Sequence, residues 1–236
     1  MSNSFFQFKQ FTVWHDKCAM KVGTDGVLLG AWTSVCEAHR ILDVGTGTGL
    51  IALMLAQRSG IDSFIVALEI DAMAAQQAEE NVSRSPWKDR IQVIRNDFKE
   101  FSSSEKFDVI VSNPPYFVDS LACPNSKRNV ARHNNSLTYR DLMQGVAGLL
   151  SEKGEFTIIV PADVSVLVKD TALADGLYAI RQLNVITKPG DKPKRVLITF
   201  SFSKQEFVEQ ELLTELARHQ YSEEYIALTK EYYLHM

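Results

Sequence analysis

Residues 111–116 read Val-Ser-Asn-Pro-Pro-Tyr and continue an apolar stretch, Phe107-Asp-Val-Ile-Val111. An amide, two rigid prolines and an aromatic ring therefore stand at the end of a strand. That set of groups suits one kind of chemistry. A planar exocyclic amine such as that of adenine is a poor nucleophile, because its lone pair is delocalised into the ring. The side-chain carbonyl of Asn113 and the main-chain carbonyl of Pro114 can each accept one of its N–H groups. This holds the nitrogen and draws its lone pair toward an incoming methyl group. Pro114 and Pro115 fix their own φ and lack an N–H, so the loop is stiff. Tyr116 offers a face on which an extruded base can stack. The plainer reading is a strand followed by a Pro-Pro turn with an incidental ring, and a second motif makes it less attractive.

That motif lies upstream. Arg40-Ile-Leu-Asp-Val-Gly-Thr-Gly-Thr-Gly-Leu50 is an apolar strand running into a glycine-rich turn and then an apolar helix, Leu50-Ile-Ala-Leu-Met-Leu-Ala56. Gly45, Gly47 and Gly49 allow a sharp turn and a close approach of backbone to ligand. A dinucleotide fingerprint is G-x-G-x-x-G. Here the spacing is G-x-G-x-G with Asp43 ahead of it, and an acid at that point suits a cationic ligand better than a pyrophosphate. S-adenosylmethionine carries both an ammonium and a sulfonium.

The next strand, Ser63-Phe-Ile-Val-Ala-Leu-Glu69, ends in an acid near the offset at which a carboxylate grips ribose hydroxyls. Glu69 is thus the expected ribose ligand, Ile70 packs on the adenine ring, and Asp71 caps the following helix, Ala72–Val82. A further strand, Ile91-Gln-Val-Ile-Arg95, runs into Asn96-Asp97-Phe98. Asp97 is placed to accept from the cofactor's adenine amine and Phe98 to cover its ring. A lone Asn-Asp after a strand is ordinarily a turn, and only its place in this series gives it a ligand role.

Composition bounds the class. The chain has 236 residues, enough for one large domain, and its 45% hydrophobic content supplies a core. No apolar run is long enough to span a membrane, and the start, Met1-Ser-Asn-Ser-Phe-Phe-Gln7, does not read as a signal peptide. Cys18, Cys36 and Cys123 are dispersed and read as free thiols of a reducing, cytoplasmic compartment. The histidines, at 15, 39, 133, 219 and 235, show no ligand spacing, so no metal is expected. The net charge of −4 argues against a nucleic-acid partner until its distribution is considered. From Gln205 to Met236 seven glutamates face only Arg218 and Lys230, a net −5, which leaves +1 over the rest. Two stretches are locally basic: Lys127-Arg-Asn-Val-Ala-Arg-His133 and Lys188-Pro-Gly-Asp-Lys-Pro-Lys-Arg195. Lys127, Arg128, Arg132 and His133 in the first, and Lys192, Lys194 and Arg195 in the second, are candidates to meet RNA phosphates. Solvated surface runs are the plainer account of each.

The elements needed to position these groups alternate regularly. A β-prone segment, 5–14, precedes a short capped helix, 24–32. Strand 40–44, helix 49–58, strand 63–69, helix 72–83, and strands 91–95 and 107–112 follow. After the proline loop come helix 137–150, strand 154–161 and helix 162–174. Strands 177–187 and 194–203 then form a hairpin. Helices are expected at 207–219 and 222–234, with Leu212, Leu213, Leu216, Tyr225, Ile226 and Leu228 turned inward. The pattern implies an α/β fold: a doubly wound, mostly parallel seven-stranded sheet with a C-terminal antiparallel hairpin strand. It reads as one domain, 1–236, with an N-terminal extension over 1–39 and C-terminal helices over 204–236. Gly45–Gly49, Glu69, Asp97 and Asn113 all fall at the carboxyl ends of strands, where ligands of such sheets sit.

The series Asp43-Val-Gly-Thr-Gly-Thr-Gly49, Leu68-Glu-Ile-Asp71, Asn96-Asp97 and Asn113-Pro-Pro-Tyr116 resembles the class I S-adenosylmethionine-dependent methyltransferases. More narrowly, Met20-Lys-Val-Gly-Thr-Asp-Gly-Val-Leu-Leu-Gly-Ala-Trp32, Asn81-x4-Pro-Trp87, and Tyr221-Ser-Glu-Glu-Tyr225 through Leu234 are similar to the bacterial tRNA1(Val) adenine-37 N6-methyltransferases. The resemblance implies a Rossmann-like fold, S-adenosylmethionine as cofactor, and the anticodon loop of a tRNA as partner. It also implies direct in-line methyl transfer to N6 with no covalent enzyme intermediate. Thr24 would reach the cofactor's methionine carboxylate, Asn113 and Pro114 would orient the amine, and Tyr116 would stack on the base. The assembly is read as a monomer.

Three rivals share part of the pattern. Glutamine methyltransferases of release factors use the same tetrapeptide, but with a helical substrate domain ahead of the glycine turn. The residues before Asp43 are few and β-prone. DNA adenine methyltransferases usually carry a sizeable recognition domain, whereas residues 117–236 are consumed by completing the fold. Guanine-N2 methylation of ribosomal RNA is associated with Phe in place of Tyr116. A cofactor-binding protein without transferase activity would have no need of Asn113.

Overall fold

The computed structural model describes residues 3–18, 21–114, 137–218 and 220–236. Its centre is an eight-stranded sheet. In chain order the structure begins with a two-stranded hairpin, β1 (Phe5–Gln7) and β2 (Thr12–Trp14), followed by helix α1 (Thr24–Trp32). Alternating elements follow: β3 (Arg40–Val44), α2 (Leu50–Arg58), β4 (Phe64–Glu69), α3 (Ala72–Ser83), β5 (Ile91–Arg95) and β6 (Phe107–Ser112). Then come α4 (Tyr139–Leu149), β7 (Leu150–Pro161), α5 (Ser165–Ala174), β8 (Tyr178–Ile186) and β9 (Arg195–Ser201). The chain closes with β10 (Val208–Leu213), the hairpin β11 (Glu215–Ala217) and β12 (Gln220–Tyr221), and α6 (Glu223–Thr229).

The sheet order is β10-β8-β9-β7-β6-β3-β4-β5. Only β9 runs against its neighbours, pairing antiparallel with both β7 and β8. The interior strands are apolar on successive residues because both faces are covered. Ile41 and Leu42, like Ile65 and Val66, alternate between two separate cores. On one face Ile41, Ile65 and Val111 pack with Val27 and Leu28 of α1 and with Leu53 of α2. On the other Leu42, Val66 and Ile110 pack with Leu142 and Val146 of α4 and Val168 of α5. α2 is buried from Leu50 through Ala56, which explains its lack of a polar face.

The C-terminal stretch differs from the sequence expectation. The described residues of the expected helix 207–219 are not helical. Val208–Leu213 is an eighth strand, parallel to β8 along Arg181–Ile186. Glutamate and leucine favour helix locally, but β8 would otherwise present an unpaired row of N–H and C=O groups. Side chains secure the pairing: Gln182 and Asn184 both donate to Glu209 Oε1, at 3.0 and 2.8 Å. Leu212 is buried as expected, whereas Leu216 is exposed. The final helix is confined to Glu223–Thr229, with Ser222 accepting from Tyr225 N as its N-cap. Gly23, rather than a polar side chain, stands at the N-cap of α1.

Candidate active site

The glycine turn after β3 is built by three left-handed residues, with φ of 74° at Gly45, 58° at Gly47 and 81° at Gly49. Any L side chain would be strained there. The turn is sewn to β4: Gly45 N and Thr46 N both donate to Leu68 O at 2.9 Å. A Cβ added at Gly45 or Gly47 would meet nothing within 4 Å, so the space over the turn is open to a ligand. At Gly49 the constraint lies behind the turn, where Ala78 Cβ is 3.4 Å from such a Cβ.

Asp43 is fully buried beneath this turn. Its Oδ2 accepts from Thr46 Oγ1 at 2.6 Å and Ala52 N at 3.2 Å, while Oδ1 has no partner. Burial pushes its pKa up to about 7, with the Glu69 carboxylate adding to the rise and the Thr46 and Ala52 bonds opposing it. An orphaned oxygen on a buried carboxyl is costly unless something positive or proton-donating meets it.

Glu69 ends β4 with both oxygens placed by backbone: Oε2 accepts from Gly47 N at 2.8 Å and Oε1 from Asp71 N at 2.9 Å. Each oxygen keeps a second lone pair. Ile70 is half exposed beside it, and Asp71 Oδ1 caps α3 by accepting from Met73 N and Ala74 N. Asn96 N donates to Glu69 O at 3.0 Å, bringing the β5 end against the β4 end. Asp97 Oδ1 accepts from Lys99 N, an Asx turn, with Lys99 Nζ 3.9 Å from Oδ2. Phe98 departs from expectation. Its ring is buried in the α4-side core and backs onto Gly145, so it is not free to cover an adenine.

Asn113 and Pro114 follow β6, half-buried and buried respectively. Ser112 Oγ donates to Val44 O at 2.9 Å and fastens this strand end to the start of the glycine turn. Gly45–Gly49, Glu69, Asp97 and Asn113 therefore share the carboxyl edge of adjacent strands β5, β4, β3 and β6. Pro115, Tyr116, Lys127, Arg128, Arg132 and His133 lie outside the described residues. Thr24, Lys194 and Arg195 come together instead at a cavity of about 810 Å³ farther along the same edge. Arg195 Nε donates to Asp25 Oδ2 at 2.9 Å, so its guanidinium ties the β8–β9 loop to α1. Lys192 is exposed, and Lys194 Nζ lies 3.7 Å from Asp191 Oδ2.

Sequence reasoning missed the groups that hang the N-terminal segment on the site. Asn81, buried on α3, accepts from Trp14 N at 2.9 Å and donates to Trp14 O and to Thr48 O, each at 2.8 Å. One turn earlier Gln77 accepts from Lys17 N at 3.0 Å. The available signal was a pair of amides spaced i, i+4 among Ala74, Ala75 and Ala78, on the face a helix buries. Among the described residues no helix is long and apolar enough to cross a membrane, and no cluster suits a metal ion.

Residues 22–166 match the family model described as "Methyltransferase small domain". Among solved structures, a predicted O-methyltransferase from Agrobacterium tumefaciens superposes with a TM-score of 0.69 at 18% identity, over 88% of this chain and 96% of that one. The glycopeptide N-methyltransferase MtfA complexed with S-adenosyl-L-methionine gives 0.55 at 13% identity, over 78% and 100%. These likenesses show the class I methyltransferase fold. Curated relatives named tRNA1(Val) (adenine(37)-N6)-methyltransferase align along the full length. The one from Bacteroides thetaiotaomicron is 70% identical over 100% of both chains, that from Phocaeicola vulgatus 56% over 100% of both, and that from Haemophilus influenzae 45% over 98% of this chain and 99% of its own. With its strand-end loops and its whole length aligned alike, the chain belongs to the tRNA1(Val) (adenine(37)-N6)-methyltransferase family.

Proposed function

We propose that this chain methylates the exocyclic N6 of an adenine in tRNA, adenine 37 in the anticodon loop of tRNA1(Val), with S-adenosylmethionine as donor. The observation that carries the reading is the convergence of the glycine turn, Glu69 and Asn113-Pro114 on one sheet edge, in a chain whose full-length relatives bear that name.

The residues present fit the cofactor. Asp43 Oδ1, buried and unpartnered, is a match for an ammonium. The bare backbone at Gly45 and Gly47 leaves room for a ligand to lie close. The free lone pairs of Glu69 suit a pair of ribose hydroxyls, with Ile70 as an apolar wall against the adenine and Asp97 as an acceptor for its amine. Thr24 is assigned the carboxylate end. When bound, the cofactor supplies a sulfonium-activated methyl: the new N6–C bond forms as the C–S bond breaks, leaving S-adenosylhomocysteine. The protein's part is orientation and electrostatics. Asn113 and the Pro114 carbonyl accept the two N–H groups of N6 and stabilise the positive charge that grows there, and the surplus proton leaves to water. Tyr116 is assigned the stacking contact with the base, and Pro115, which lacks an N–H, is assigned to the stiffness of the loop. A single-stranded loop lets the adenine splay out at little cost.

The test is incubation of purified protein with labelled S-adenosylmethionine and total RNA from a strain lacking the gene, followed by nucleoside mass spectrometry. Label recovered as N6-methyladenosine in tRNA supports the reading. Label on DNA or on a release factor, with RNA blank, moves the substrate to a rival.

A further inference from the structure

The β8 end of the sheet carries a cavity that meets the residues assigned to the cofactor at Thr24 and otherwise extends away from them. Its volume is about 810 Å³, within the usual range for organic ligands. Val185 and Thr187 at the carboxyl end of β8 line it, joined by the rings of Phe5 and Tyr221 and by the carboxylate-bearing Glu215. Phe5, tilted against Trp14, and Tyr221, tilted against Tyr225, are still 38% and 39% exposed, so each has ring surface left for a ligand. Glu215 sits opposite Tyr221 in the β11–β12 register, so an acceptor and a ring are presented side by side. The β8–β9 loop beside it carries Lys188, Lys192 and Lys194, all exposed. Three strand spacings separate β8 from β6, which places this cavity about 14 Å from the strand that bears Asn113, at ~4.8 Å per spacing.

We infer that this cavity is a second base pocket, which takes an unpaired nucleobase flanking the methylated adenine in the same RNA loop. The inference rests on the reading of this chain as an RNA adenine methyltransferase. Single-stranded RNA is held by three kinds of group: rings for stacking, side chains that hydrogen-bond a base edge, and cations for phosphates. Phe5 with Tyr221, Glu215, and the lysines of the β8–β9 loop supply one each. The shared edge means that a strand threading Asn113 toward β8 passes the basic loop on its way. A loop splayed for catalysis exposes more than one base, and a pocket that secures a neighbour fixes the register of the target.

Equilibrium binding and single-turnover methylation with the full chain test this. The RNA is the anticodon stem-loop of tRNA1(Val), intact or with one loop nucleotide at a time made abasic. The wild type should lose about 10-fold in affinity at one abasic position other than the target. Tyr221→Ala should lose about as much on intact RNA and show no further loss at that position, whereas Tyr221→Phe should behave as wild type. Unchanged cofactor affinity in Tyr221→Ala, and a matching result from Phe5→Ala, separate base contact from misfolding. Full abasic sensitivity retained in both alanine variants, with methylation proceeding, would overturn the pocket alone. A wild type that methylates no RNA would overturn the functional reading and the pocket together.

Discussion

The side-chain amide of Asn81 donates to the main-chain carbonyl of Thr48, within the glycine turn, while its other bonds hold both backbone groups of Trp14. One buried amide thus joins α3, the turn and the N-terminal hairpin. Asn81→Ala leaves three backbone groups without partners and should cost about 2–4 kcal/mol of stability. The loosened turn should also weaken S-adenosylmethionine binding by roughly tenfold, a scale set by about 1.4 kcal/mol per decade. Urea denaturation and titration calorimetry measure the two effects. A stability loss with full cofactor affinity would confine Asn81 to a structural role.

Asn113→Ala should abolish turnover and leave cofactor affinity nearly intact, because the amide is assigned to the target amine. Single-turnover kinetics beside calorimetric binding decide it. A large loss of cofactor binding would place Asn113 in the wrong pocket.

Glu69→Gln replaces one backbone-accepting oxygen with an NH2 that faces the N–H of Gly47 or Asp71. Both the ribose contact assigned to Glu69 and the pairing of the turn should suffer, so cofactor affinity should fall by about 100-fold, at ~1.4 kcal/mol per decade. Melting in the absence of cofactor should change by much less than the cofactor-induced rise in Tm.

Asp43 sets a pH dependence. Unfolded, its carboxyl titrates near 3.8, and folded near 7. Between those values the folded chain holds the extra proton, so this group lowers stability as pH rises across the window and contributes a constant amount outside it. An ammonium near Oδ1 favours the ionised form, so cofactor affinity should increase with pH up to about 7 and then level off. Binding at pH 6 should release a proton, visible as a buffer-dependent calorimetric enthalpy. Asp43→Asn should bind more weakly and release none.

Gly145→Ala tests the placement of Phe98. A Cβ there would stand 2.8 Å from Phe98 Cζ and nearer still to Cε1. The clash should cost about 1–3 kcal/mol. Adding Phe98→Leu should recover much of that, which double-variant denaturation would reveal.

The strand-end loops were legible because their signals are local. Alternating apolar strands and helices fix the sheet, and positive-φ glycines, a capping Asp71 and a strand-ending Glu69 lie within a few residues of the turns they serve. Val208–Leu213 was not legible, since its pairing with β8 is decided by a strand distant in sequence, and its glutamates and leucines favour helix when read alone. Phe98 misled for a related reason: its neighbour Asp97 belongs to the sheet edge, but its ring answers to a glycine on α4. Asn81 stood in plain view, yet its meaning depends on Trp14 and Thr48 arriving from elsewhere.

Residues 8–9 and 232–233 are clasped to each other. Phe8 bridges Tyr233, Lys9 N donates to Tyr232 O, and Tyr232 Oη donates to Met54 O at the heart of α2. During synthesis the first residues therefore leave the ribosome long before their partners exist. The hairpin of Phe5–Trp14 can rest on α3 early, but its outer side stays unfilled until the last residues emerge. A nascent chain can complete the glycine turn and still lack the wall that Tyr225 and Tyr233 build. Loss of Tyr232 and Tyr233 would therefore be felt as far away as the Phe5–Trp14 hairpin.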